Sequence, residues 1–265
     1  MNDVPELPEE AGPIIFKQLL DLWAQPEIEK RLTAGTMTPG QEVWAIQVIM
    51  NVRGPGPLIR LNDEVKGVAQ VKVNRAINKG EQVRGNEIVE LKGLDLLPED
   101  HDAAHITALL HASGWQVIFD FRYNAATISC LVARADEFLA TADFALKNGH
   151  LNAAVDNLYD AVELMAKCHL IMSPDRGILE SKTHGAIESN YNWQRKFGNV
   201  KPDFAETLNR LSELRPKVRY APEPTEIDGA EVAKLASFAA EMRADVETRR
   251  PRRRDGRAPS VVLCK

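Results

Sequence analysis

One helix limits the choice of fold more than any other stretch of the chain. Between Asn148 and His169 the sequence reads NGHLNAAVDNLYDAVELMAKCH. Leu151, Ala154, Val155, Leu158, Ala161, Val162 and Met165 recur there at the three- and four-residue steps of an α-helix. One flank is apolar along its whole length, so other helices must cover it. Gly149 stops the helix that precedes it. From Ala125 onward no strand pattern recurs, and helices are expected near 127–147, 149–171, 183–197, 202–215 and 229–249. Gly149, Ser173-Pro174, Gly198, Pro222 and Pro224 punctuate them, and Pro202 with Asp203 suits a first helical turn. Pro216 removes a backbone donor and disfavours helical geometry at Arg215, so the fourth helix is expected to end or kink there.

The first half has a different period. Ile15, Leu19, Leu22 and Trp23 fall at helical intervals after Pro13, and Pro26 is expected to break or kink that helix. After TMTPG, the run Val43–Val52 is apolar on nearly both faces, which predicts a central strand. PLIRLN, VKGVAQVKV and EIVELKG read as further strands, and WQVIFDFRY as a strong one, because Val117, Phe119 and Phe121 alternate with polar residues. PEDHDAAHITALLHASG reads as a helix, with Pro98 and acids in a first turn and Gly114 past its end. The expected class is α+β. A small, mostly antiparallel sheet domain with helices spans 13–124, and an all-α bundle spans 125–249. Residues 1–12 and the basic tail 250–265 are expected to be disordered.

Bulk composition excludes several classes. A chain of 265 residues with 44% hydrophobic content can bury a proper core. Its formal charge of -5 argues against whole-molecule attraction to nucleic acid, so any such role must come from a local patch. Cys130, Cys168 and Cys264 show no CxxC spacing; Cys130 and Cys168 read as buried free thiols. The acidic start MNDVPELPEE has no signal-peptide pattern, and no apolar run approaches the roughly 20 residues that span a bilayer. A cytoplasmic protein without membrane contact is expected. No Walker lysine loop, GxSxG elbow or dinucleotide fingerprint occurs, so no cofactor is expected. Gly54-Pro55-Gly56-Pro57 is a turn, since its prolines remove amides that a phosphate cradle needs. His101 and His105 would share a helical face with Asp102 between them, but no third metal ligand is evident and no metal site is expected.

Three features of the second half resemble the HEPN domain (higher eukaryotes and prokaryotes nucleotide-binding), a small helical bundle. They are the helix pair ADEFLATADFALKNGHLNAAVDNLYDAVELMAKCHL, His184-Gly185 opening the next helix, and LNRLSELRPKVRY, with an arginine then a tyrosine late in a helix. The resemblance implies one of two roles. Some members are metal-independent ribonucleases that use an arginine followed a few residues later by histidine across a dimer interface, among them toxins and defence proteins. Others lack that histidine and act as binding modules or partners of minimal nucleotidyltransferases. Here Arg215 is followed by Pro216, Lys217, Val218, Arg219 and Tyr220, with no histidine in the window.

Arg215, Lys217, Arg219 and Tyr220 are the candidate nucleotide or phosphate site, since guanidinium forks match phosphate oxygens and tyrosine stacks on bases. They equally suit cations at a helix C-terminus, with Tyr220 packed on the bundle. Asp156, Asp160, Glu163 and Lys167 form one polar stripe, either a solvated face or a cleft wall facing Arg215. His184 is a helix-terminal histidine or a general base brought to Arg215, and the latter requires the two side chains to lie within roughly 10 Å. Arg249, Arg250, Arg252, Arg253 and Arg254 are a solvated tail or a sequence-independent nucleic-acid contact. The expected function is a non-catalytic nucleotide- or RNA-binding or interaction module, homodimeric through its bundle. The alternatives are a metal-independent ribonuclease using Arg215 and His184, and a structural protein whose sheet domain recruits a protein partner.

Overall fold

The computed structural model describes residues 11–181, 183–221 and 227–250, and the backbone alone of 260–263. The disorder expected before residue 11, the turn at Pro222 and Pro224, and most of the arginine-rich tail lie outside the described residues. The chain divides into two compact units, residues 1–121 with 252–265, and residues 122–251.

The first unit opens with α1 (Ala11–Leu19), a wider π-turn over Leu20–Ala24, and α2 (Gln25–Thr33). Pro26 does not break this run. The Gln25 amide reaches back to the Leu20 carbonyl, and this expanded turn makes room for the ring where a regular turn would clash. Strands follow as β1 (Ala45–Met50), β2 (Leu58–Leu61), β3 (Gly67–Val73), β4 (Ile88–Asp95), β5 (Ala104–His111), β6 (Gly114–Asp120) and β7 (Ser260–Leu263). They form two antiparallel sheets, in the orders β2-β1-β5-β6 and β4-β3-β7.

The helix expected over 98–114 is instead a single 3-10 turn at Pro98–Asp100 followed by a strand. Residues 104–109 are all buried in β5, because β1 and β6 flank it and both faces are covered. A strand buried on both faces loses its alternation, and its continuous apolar run cannot be told from a helix by period. Gly114 has φ +111 and turns the hairpin between β5 and β6 rather than ending a helix. His101 and His105 therefore share no helical face, and among the described residues no three His, Cys, Asp or Glu side chains are placed to hold a metal ion.

Two apolar layers flank the four-stranded sheet. Leu19 and Ala24 meet Ile46, Val48, Leu61, Ile106 and Ala108 on one face. On the other, Ala45, Ile49 and Leu109 meet Val65, Ala69, Leu91, Leu94 and Leu96. A polar row runs through this second layer. Gln47 and Thr107 are fully buried and His105 is 3% exposed. Gln47 Nε2 donates to the Lys66 carbonyl at 2.8 Å and to Thr107 Oγ1 at 3.3 Å, and Arg60 bonds both Gln47 Oε1 and Asp100 Oδ2. These bonds make the polar groups tolerable inside.

The second unit is all helical: α3 (Ala125–Lys147), α4 (Leu151–Ile171), α5 (Arg176–Glu180), α6 (His184–Lys196), α7 (Pro202–Tyr220) and α8 (Gly229–Arg249). The apolar flank of α4 is its core, and α3, α6, α7 and α8 pack around it. Asn124, in the left-handed region at φ 61, donates from Nδ2 to the Ile171 carbonyl at 2.7 Å and ties the start of α3 to the end of α4. The expected loop before His184 contains α5, whose first turn is capped by Asp175 accepting from the Ile178 amide. Cys168 is buried, and burial pushes its thiol up to about 12, whereas Cys130 is exposed, against expectation, on the outer side of α3. Among the described residues no helix is long and apolar enough to cross a membrane.

Candidate functional site

The site is built where α4 faces α7. Contrary to expectation, α7 does not end at Arg215 but continues through Pro216 to Tyr220. Pro216 is exposed, and its ring removes the amide from which the Ser212 carbonyl would accept. One further turn of helix is thereby added, and Arg219 comes to lie a turn beyond Arg215 on the same side.

That side meets the polar stripe of α4. Arg215 Nε lies 3.1 Å from Asp156 Oδ1, and its Nη2 lies 3.0 Å from Asp160 Oδ1. The guanidinium also rests on the Tyr159 ring, 4.4 Å from its centroid, which adds a cation–π contact. Arg219 Nε shares Asp156 Oδ1 at 3.1 Å. Asp156 and Asp160 of the stripe therefore face Arg215 rather than solvent. Side-chain exposure is only 17% for Arg215, 23% for Asp156 and 24% for Asp160.

Tyr159 carries the cluster onward. Its hydroxyl donates to Glu163 Oε1 at 3.2 Å, and the same oxygen lies 2.5 Å from His184 Nδ1. The His184 ring meets Tyr159 edge-on, with centroids 5.7 Å apart. Arg215 and His184 thus rest on one aromatic ring. Lys167 donates to the Ser181 carbonyl at 2.6 Å, and Ser212 donates to Glu188 at 2.9 Å, which holds the ends of α5 and α6 against α4 and α7.

Burial pushes the Asp160 carboxyl above its usual range, and Arg215 offsets part of this. For Arg215, burial acts downward as the largest single influence, but Asp156 and Asp160 together raise the guanidinium above its ordinary value. Burial, then the Glu163 charge, raises the Tyr159 phenol well above its usual range, so it stays a neutral donor. An anion that approached Arg215 would have to compete with two carboxylates already seated on its donors.

The other predicted residues lie at the margin. Lys217 and Arg219 are exposed on α7, and Tyr220 is 75% exposed rather than packed on the bundle. Arg249 and Arg250 are placed at the end of α8, at the other end of α7 from Arg215, where Arg249 pairs with Asp245 and Arg250 with Glu247. Arg252, Arg253 and Arg254 lie outside the described residues. Tyr159 is the member that sequence reasoning missed. The available signal was an aromatic residue between Asp156 and Asp160, at the edge of the apolar flank, where a ring can be buried on one side and touch charge on the other.

No curated protein matches the chain. A family model described as the HEPN domain matches residues 128–249, from the first turn of α3 to the last residue of α8. The helical C-terminal half of this chain is a HEPN domain.

Proposed function

We propose that the protein is a HEPN-type binding module without catalytic turnover. It takes a nucleotide or RNA phosphate on the exposed last turn of α7, which carries Lys217, Arg219 and Tyr220, with Arg215 anchoring the turn before it. One observation carries this reading: the Arg215 guanidinium is engaged by Asp156, Asp160 and Tyr159, and the sixth residue of its motif is Tyr220 where ribonuclease members carry histidine. An arginine held in this way positions the helix, while its more exposed neighbours supply cations and a ring for phosphate and base. Pairing of two copies through the bundle, and a protein partner on the sheet unit, belong to the same reading.

The test is purified protein with labelled single-stranded and hairpin RNA in EDTA, beside Arg219→Ala and Arg215→Ala. Retarded mobility without cleavage, weakened by Arg219→Ala and by added salt, is the expected result. Multi-turnover cleavage that disappears in Arg215→Ala would defeat it.

A second reading rests on the Tyr159 ring. Glu163 holds His184 through Nδ1, the arrangement in which a carboxylate orients an imidazole for proton transfer, and Arg215 lies on the other contact of the same ring. That constellation suits a metal-independent ribonuclease with His184 as base and Arg215 stabilising phosphate charge. It requires cleavage to fall in both His184→Ala and Arg215→Ala, and His184→Ala alone to leave RNA retention unchanged.

A further inference from the structure

We infer that the second edge of β3 is a strand-acceptor site for a partner protein, which supplies an extended segment of seven residues, aliphatic at alternate positions and free of proline. The inference rests on the part of the proposed function that puts a protein partner on the sheet unit. It is independent of the phosphate-binding turn of α7.

Part of the site is already filled. Along one edge β3 pairs with β4 from Val68 to Val73. Along the other it pairs antiparallel with β7, with Gly67 opposite Leu263, Val68 opposite Val262, Ala69 opposite Val261 and Gln70 opposite Ser260. Among the described residues no strand pairs with Val71, Lys72 or Val73 on that edge. The sequence explains where β7 stops. Continuing its register puts Pro259 opposite Val71, and a proline has no amide with which to extend the ladder. The resident strand thus uses four of the seven positions of β3, and a segment without that proline can use them all. Unpaired edge amides and carbonyls are a template for such a segment.

The hold of β7 on this edge is weak by construction. It rejoins the sheet only after the whole helical unit, 122–251, has intervened. Hydrogen bonds over four residues return about what ordering them costs, so the strand owes its place to belonging to the same chain. A tethered segment acts at an effective concentration on the order of 1 mM, which a longer free segment can exceed in effect. Main-chain bonds give affinity for any extended peptide, and the faces of β3 give the selection. Ala69 is fully buried, and Val71 packs on the same apolar layer. Directly opposite residues of an antiparallel pair share a face, so aliphatic residues are required opposite Gly67, Ala69 and Val71. Opposite Val68, Gln70 and Lys72, none of which is fully buried, polar residues are tolerated.

The test uses the full chain, isotopically labelled, titrated with two peptides that differ at one position. RAPSVVL repeats residues 257–263, and RAVSVVL has valine in place of the proline. Amide shifts along β3 are followed, with calorimetry for affinity. RAVSVVL should saturate, bind at least about tenfold more tightly than RAPSVVL, and shift Val71 and Val73. V261P/V262P, which disables the resident strand, should bind RAVSVVL at least about tenfold more tightly than the unaltered chain. Arg219→Ala should leave peptide binding unchanged, so a failure of RNA retention bears on the α7 reading alone. Absence of saturation in V261P/V262P to about 1 mM, equal binding of the two peptides, or shifts that avoid β3 overturns the proposal. A concentration-dependent dimer of the unaltered chain that V261P/V262P does not form also overturns it, since the occupant is then a second copy exchanging the same strand. Melting curves identify any unfolding of V261P/V262P, and the comparison of peptides on the unaltered chain stands without that variant.

Discussion

Arg215 is the residue on which the candidate site turns, and its surroundings make it as much a structural group as a functional one. Two carboxylates and a ring face share one guanidinium that is only 17% exposed. Its removal leaves Asp156 and Asp160 close together without their counter-charge, so Arg215→Ala should lower unfolding free energy by about 1–3 kcal/mol in urea titration. Arg215→Lys should recover less than half of that, because an ammonium cannot serve both acids in one plane. An unchanged denaturation midpoint in Arg215→Ala would mean that the ion pairs contribute nothing. His105 supports a pH prediction in the other unit. Burial lowers its pKa to about 4, with Asp120 opposing the shift. Unfolded, the same imidazole takes its proton near about 6.5. The folded value is the lower one, so its contribution is complete above that unfolded value. It is lost as pH falls toward the folded value and changes little below it. The loss amounts to about 3 kcal/mol, and His105→Asn should flatten stability across that window.

At the scale of elements, α7 and β5 show opposite outcomes. Pro216 sits inside α7, exposed, at the cost of one backbone bond. Pro216→Ala should therefore raise stability by about 1–3 kcal/mol, read as a higher melting temperature, unless the ring is needed to aim Arg215. A lower melting temperature would assign it that aiming role. Leu158, at the centre of α4 and 2% exposed, should cost about 2–5 kcal/mol when replaced by alanine. The five longer helices of the second unit were legible because their apolar residues recur at three and four, whereas the short α5 was not. The strand β5 was not, since Ala104, Ile106, Ala108 and Leu109 are buried by neighbours that the local sequence does not contain. Acids after Pro98 made the same stretch look like a helix start, and one 3-10 turn is what they form.

For the whole molecule, the division into two compact units has a consequence for folding. Each unit has its own buried residues, α4 at the centre of one and the paired layers of the sheet in the other. A fragment spanning 122–251 should retain a helical circular-dichroism spectrum and unfold cooperatively by itself. A spectrum without helix would mean that the bundle depends on the rest of the chain. The sequence alone determined the change from strand to helix period near residue 125 and the apolar flank of α4, because these follow from spacing within a single segment. Only the tertiary structure decided that Asp156 and Asp160 engage Arg215, that α7 continues through Pro216, and that Tyr159 joins Arg215 to Glu163 and His184. Those contacts link residues from different helices, and the free energy of an ion pair or a ring contact depends on distances that no periodicity along one helix encodes.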